Sequence, residues 1–325
     1  MIQQTLAFGL RSILTFILIF SLVACNRNTP DAPLRIGTNF WPGYEPLYLA
    51  RSLGYLTDDK VRLVENSSTS QSLRRFLEQH TEGAALTLDE VLSLYQATTD
   101  ACIVLVMDIS EGADVVMGKP SLQQLSDVKG VRIGVENTAV GAYMLARALQ
   151  AAELSVTDVT IVPLALDQHE AGYLSGKVDA VVTFEPVRSR LLAAGAVQLF
   201  DSSQIRGEIV DVLVVRKSHL DKYPEQAHYV INNWFGALDY FASHTEDAVT
   251  RMAPRMQLPA SEVVAMYEGL TLPDRDENRQ LLTRAPNTSE PLRDTLHQLN
   301  RIMQEQHLLS DPVHVEQICI RGEYL

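Results

Sequence analysis

Leu34-Arg35-Ile36-Gly37 leads through a polar, aromatic loop into Tyr48-Leu49-Ala50-Arg51. The pattern returns downstream, where Val131-Arg132-Ile133-Gly134 leads through a second polar loop into Tyr143-Met144-Leu145-Ala146-Arg147. A matched segment follows each unit: Ala85-Leu86-Thr87-Leu88-Asp89-Glu90-Val91 after the first, Val181-Val182-Thr183-Phe184-Glu185-Pro186-Val187 after the second. All four read as a short buried strand, a loop and a helix start. βα periodicity alone produces such units, but two pairs in the same order indicate two similar halves. In an open α/β sheet the loops at the carboxyl ends of the strands form the ligand crevice. Two halves offering such loops predict two lobes that close on one small molecule.

Outward from these units the pattern alternates. Strands are expected at Leu34–Gly37, Val61–Val64, Ala84–Thr87, Ile103–Met107, Val131–Val135, Val159–Pro163, Ala180–Phe184 and Val212–Val215, with helical stretches between them. Strands alternating with helices predict an α/β fold with mostly parallel sheets flanked by helices. After Lys217 the texture turns to long helical pieces. The Gly112–Pro120 region and the stretch from Gly207 to Val212 are candidate hinges. They divide the chain into 34–116 (first lobe), 117–209 (second lobe) and 210–325 (completion of the first lobe, with a helical C-terminal region).

The N-terminus speaks to compartment. Ser12 to Val23 is almost wholly apolar, with Arg11 the only positive charge before it. A membrane span needs about 20 such residues, so the shorter run reads as a signal-peptide core. It ends in Leu22-Val23-Ala24-Cys25, which resembles the bacterial lipobox, whose cysteine is acylated and becomes residue one. Residues 1–24 are therefore expected as a lipoprotein signal peptide and 25–33 as a polar tether, placing an exported protein on a membrane through Cys25. Losing the leader removes one of the 27 basic residues and none of the 40 acidic ones, so the mature chain is more negative than the −13 of the whole. With no basic cluster longer than Arg74-Arg75, the charge excludes a nucleic-acid surface. Cys102 and Cys319 remain. An exported compartment permits one disulfide between them, but their apolar strand contexts point rather to two inert buried thiols.

Three stretches together resemble the substrate-binding proteins of nitrate/sulfonate/taurine-type ABC importers, a superfamily that also holds thiamine-pyrimidine binders and related pyrimidine synthases. They are Leu34 to Gly54, Leu125 to Glu136 continuing to Leu149, and Val178 to Val187. The resemblance implies a two-lobed periplasmic binding protein (type II-like), monomeric, with a small-molecule ligand in the cleft and ABC permease subunits as partners.

Four loops then become the candidate site. Asn39, Trp41, Tyr44 and Glu45 lie in the first, where Pro42-Gly43 makes a turn; Phe40 and Trp41 as plain core is the alternative. Thr87 and Asp89 lie in the second. Asn137, Thr138 and Ala139 begin a helix in the third, whose free amides suit a carboxylate, sulfonate or phosphate. Thr183, Phe184 and Glu185 form the fourth. Acids at helix starts often only complement the macrodipole. Yet Glu45, Asp89, Glu136 and Glu185 recur across the loops with no Lys or Arg inside them. With Trp41, Tyr44 and Phe184 they suit an ammonium by charge and cation–π attraction, so an amine-bearing, zwitterionic or heteroaromatic ligand is expected.

Rival classes are an enzyme of the same superfamily and a ligand-sensing lipoprotein that signals to a membrane receptor. The eight histidines are scattered, Gly172-Tyr173-Leu174-Ser175-Gly176 lacks nucleophile-elbow spacing, and His169 and His80 read as surface residues. No catalytic residue, cofactor or metal site is expected.

Overall fold

The computed structural model describes residues 32–136, 140–283 and 290–325. The leader, Cys25 and the loop residues Asn137, Thr138 and Ala139 lie outside the described residues. Leu34–Leu325 forms one compact unit built on two mixed sheets. In chain order the first part runs β1 (Leu34–Thr38), α1 (Glu45–Ser52), β2 (Val61–Glu65), α2 (Thr69–Leu77), β3 (Gly83–Thr87), α3 (Leu88–Tyr95) and β4 (Cys102–Ser110). Then come β5 (Asp114–Gly118), β6 (Arg132–Val135), α4 (Val140–Ala151), β7 (Thr160–Pro163), α5 (His169–Leu174), β8 (Ala180–Phe184), α6 (Val187–Ala193) and β9 (Val197–Asp201). The chain finishes with β10 (Val210–Val215), α7 (Lys217–Leu220), α8 (Pro224–Ser243), α9 (Thr245–Met256), α10 (Ala260–Met266), β11 (Leu270–Thr271), α11 (Arg275–Leu282), α12 (Pro291–Glu305) and β12 (Cys319–Ile320).

The first sheet has the order β11-β4-β10-β3-β1-β2, with β12 also on β4; the second has the order β7-β6-β8-β5-β9. In each, three adjacent strands are parallel (β2-β1-β3 and β7-β6-β8), and the strands beyond them add antiparallel pairings, except for β12, which is parallel to β4. Strands β3, β4 and β10 are buried on both faces, so they read as mainly apolar runs, broken in β4 by Asp108 and in β10 by Asp211, whereas the edge strands β2 and β7 carry exposed positions. β5 and β9 were not legible as strands. Gly112 and Pro120 make the β5 segment look like a turn, and β9 is an edge strand of mixed polarity (Val-Gln-Leu-Phe-Asp).

The chain passes from the first sheet to the second between β4 and β5 and returns between β9 and β10. Buried Ser202 ties the two passages together: its Oγ accepts from Gly112 N at 2.6 Å and lies 2.8 Å from Ser110 Oγ. On the return passage Glu208 accepts from Tyr143 Oη at 2.5 Å and pairs with Arg147 at 2.7 Å, which fixes α4 to the crossover. Cys102 and Cys319 are bonded, joining β4 to β12. Among the described residues no helix is long and apolar enough to cross a membrane.

Candidate functional site

The two sheets meet through Trp41 after β1 against Phe184 at the end of β8, and through Glu136 after β6 against the start of α2. In the first loop the chain must turn tightly under an aspartate. A Cβ on Gly43 would lie 1.8 Å from Asp108 Oδ2 and 2.4 Å from Trp41 Nε1, so only glycine fits. Trp41 is buried and its Nε1 donates to both oxygens of Asp108, at 3.2 and 3.1 Å. Tyr44 Oη donates to Asp211. Asn39 is buried with its Oδ1 unpartnered.

From the second sheet, Phe184 meets Trp41 edge-on, with ring centroids 5.2 Å apart at 88°. Behind Phe184, Thr183 Oγ1 lies 3.1 Å from Nδ1 of His169, whose Nε2 is 3.3 Å from Leu164 O. Burial lowers the His169 pKa, so the ring is neutral at pH 7. The Leu164 carbonyl can only accept, which puts the proton on Nε2 and makes Nδ1 the acceptor. Thr183 therefore donates to His169 and turns only lone pairs to anything else. The expectation of a surface His169 is overturned: it is 2% exposed, because His169, Gly172 and Tyr173 form the inner face of α5 against the sheet. His80 is exposed beside Glu78.

Two of the acids are not free. Glu45 pairs with Arg255 of α9 at 2.6 Å, and Glu185 accepts from Arg188 Nη1 at 2.8 Å and from the Ser189 amide and hydroxyl at 3.1 Å each. The loops themselves lack Lys and Arg, but the fold and the next helical turn supply them. Arg255 also lies over the Tyr48 ring, 3.4 Å from its centroid. Glu136 is held across the cleft by Ser70 N at 3.0 Å and Thr69 Oγ1 at 3.3 Å.

The remaining carboxylates form a buried group around Thr87. Asp211 is in register with both Thr87 and Asp108 on the neighbouring strands. Asp89 and Glu90 open α3, where Glu90 accepts from Thr87 N at 2.9 Å. Asp114 opens β5 opposite Phe184. Burial, then repulsion from Asp89, pushes the Asp114 pKa up to about 7 despite a bond from Ser110. Burial raises Asp89, Glu90, Asp108 and Asp211 as well, and repulsion between neighbours adds to the rise in the last three. Oxygens of Asp89, Glu90 and Asp114 have no hydrogen-bond partner. Of these five, loop position in the sequence singles out only Asp89. The signal for others is a lone acid inside an apolar strand, as in Val210-Asp211-Val212-Leu213, since a buried polar residue is the informative exception.

A cavity of about 10 Å³ remains at the centre, lined by Thr69, Asp114, Glu136, His169, Thr183 and Phe184 among others. A second cavity of about 320 Å³ shares Phe184 with it and has Phe40, Asn66, Leu166, Glu185 and Arg190 in its wall. Among the described residues no cluster of His, Cys, Asp and Glu could hold a metal ion.

These features sit on a known scaffold. The alkanesulfonate-binding protein of Xanthomonas axonopodis pv. citri, solved bound to MOPS, superposes with a TM-score of 0.76 at 18% identity, covering 89% of this chain and 99% of that one. The desulfurization enzyme DSZB shares the fold at a TM-score of 0.59 and 18% identity, covering 89% and 97%. A protein of Escherichia coli (strain K12) named for binding aliphatic sulfonates is 24% identical over 146 residues, 45% of this chain and 46% of its own length, so the match spans less than half of that relative. The architecture is that of periplasmic binding proteins. A family model matches residues 27–254, well over half of the chain, and on that match the chain belongs to the NMT1-like family.

Proposed function

We propose that the protein is a lipid-anchored extracytoplasmic solute-binding protein that captures a small amine-bearing, zwitterionic or heteroaromatic ligand between its lobes and delivers it to an ABC importer. One observation carries the ligand class: Asp89, Glu90, Asp108, Asp114 and Asp211 are buried together, and none forms an ion pair among the described residues. Burying unpaired carboxylates is costly, and a bound cation removes that cost. Thr183, fixed as an acceptor, and the free Oδ1 of Asn39 favour the same donor-rich ligand. Trp41, Tyr44 and Phe184 frame the cationic end. Asn137, Thr138 and Ala139, which precede α4 in the sequence, are assigned to an acidic end, which would reconcile an amine with the sulfonates named for the relatives. Thr87, Glu45 and Glu185 belong to the wall; the last two act through Arg255 and Arg188. Binding rather than catalysis is favoured because both His169 nitrogens are committed and Cys102 and Cys319 are bonded to each other.

A calorimetric screen of the mature protein against amines, aminosulfonates, pyrimidines and inorganic anions tests the reading. The tightest binder should carry a cationic or donor-rich nitrogen group. Asp114→Asn should weaken it by about 1.5–3 kcal/mol, the range for a hydrogen bond to a charged group. Nitrate as the tightest ligand, with Asp114→Asn neutral, would sink the proposal.

The anchor has its own test. Cys25→Ala should move the protein from the membrane to the soluble fraction, and intact mass of the wild type should include acyl chains. A soluble wild type without acyl mass refutes lipidation.

A further inference from the structure

Glu136 belongs to the second sheet, yet its carboxylate is bound by the first. It follows β6, and its oxygens accept from Ser70 N at 3.0 Å and Thr69 Oγ1 at 3.3 Å, the first two residues of α2. Both Glu136 and Thr69 are buried. The nine-residue helix α2 has no acid in its own first turn. Its cap, Ser68 Oγ, is taken up by Gln71 N at 3.2 Å, and Gln71 Oε1 in turn accepts from Ser67 N at 2.8 Å. The negative group that the positive end of a helix attracts is therefore imported from the opposite lobe.

We propose that Glu136 is a specificity-determining residue: a built-in anion that occupies the start of α2 and bars external anions from it. A sulfonate, sulfate or nitrate approaching that helix must displace a tethered carboxylate of the same charge from the same donors, whereas an amine meets no such competitor. Because Glu136 reaches from one sheet to the other, the same contact also holds the lobes together beside Trp41 and Phe184. The inference concerns what is refused, and it stands whether or not the five buried acids bind an amine.

Methanesulfonate titrated by calorimetry into wild type, Glu136→Ala and Glu136→Gln at constant ionic strength decides it. Wild type should bind weakly, Glu136→Ala at least tenfold more tightly, and Glu136→Gln, which keeps the shape and loses the charge, should fall between them. Adding Thr69→Val to Glu136→Ala should reverse part of the gain, which places the anion at α2 rather than elsewhere. Equal affinity in wild type and in either folded Glu136 variant overturns the proposal, and so does a gain that Thr69→Val leaves intact. If Glu136→Ala fails to fold, the isosteric Glu136→Gln still separates the two outcomes. A gain in anion affinity without any amine binder from the screen would retain this inference and discard the cationic-ligand reading.

Discussion

The mature protein, free of ligand, should melt at least about 5 °C higher at pH 5 than at pH 8.5, and a cationic ligand should raise the melting temperature more at the higher pH. The sign follows from the buried acids. Asp114 moves from an ordinary 3.8 to about 7, and Glu45 from 4.5 to about 7 because burial outweighs its Arg255 partner. Burial also raises Asp89, Glu90, Asp108 and Asp211. A carboxyl whose pKa is raised by folding holds its proton in the native state after the unfolded chain has lost it. Stability is then fully present below the unfolded value and drains away as pH rises through the folded one. One pKa unit is worth about 1.4 kcal/mol, and neighbouring groups do not add independently, so several kcal/mol in total are at stake. At about 2–4 °C per kcal/mol for a large domain, a shift of this size is readily measured.

Opposing groups are few in that window. Glu82 and Asp179 are held below the usual carboxylate range beside Arg35 and Arg132 and lose their contribution only at lower pH. His169, lowered by burial, acts in the opposite direction only below its unfolded value of 6.5. Scanning calorimetry from pH 5 to 8.5 on wild type and Asp114→Asn is the measurement. The variant should flatten the dependence and be the more stable at pH 8.5, since a neutral amide removes a charge that burial penalises. A melting temperature that climbs steadily to pH 8.5 in the wild type would show that the acids are solvated and the cluster is not as described.

The fold was legible because its strongest signals are local. Ile36-Gly37 and Ile133-Gly134, each leading to an amphipathic helix, located β1 with α1 and β6 with α4, and all eight expected strands overlap observed ones, six to within a residue at each end, while β4 runs on to Ser110 and β10 begins at Val210. What escaped were elements defined by their partners. β5 is a strand because it lies antiparallel to β8 and β9, and nothing in Asp114-Val115-Val116-Met117-Gly118 between turn-forming residues announces that. Less of the site was legible. Of the four expected loops, those after β1 and β8 touch, with Trp41 against Phe184. The start of α2, Thr69 and Ser70, carries the bond to Glu136, yet the polar run from Asn66 into it looks like any surface turn. Arg255 reaches Glu45 from the C-terminal helices, a contact that no local pattern encodes. Asp108 and Asp211 could have been found, since each interrupts an apolar strand where an acid requires a reason.

The two cysteines supply the second large effect. Apolar context alone pointed to inert thiols; pairing overturns that, because Cys319 on β12 stands directly in register with Cys102 on β4. Tyr95 Oη donates to Ala101 O at 2.5 Å and accepts from Cys319 N at 2.8 Å, so the same junction is held by hydrogen bonds that survive reduction. The bond spans 217 residues of chain. In the chain-entropy account, closing so long a loop restricts the unfolded state strongly, and removing a native bridge costs about 2–5 kcal/mol. Cys102→Ala combined with Cys319→Ala should therefore lower the melting temperature by about 5–15 °C at about 2–4 °C per kcal/mol. β12 contributes two residues to the sheet edge, too little to stay docked unaided, so the loss should appear first as exchange of amides around Cys319 while β3 and β10 stay protected. A reductant should reproduce the shift in wild type and do nothing to the double variant. If non-reducing peptide mapping instead finds two free thiols and the reductant leaves melting unchanged, the bridge is absent, and β12 must be held by Tyr95 and by side-chain packing alone.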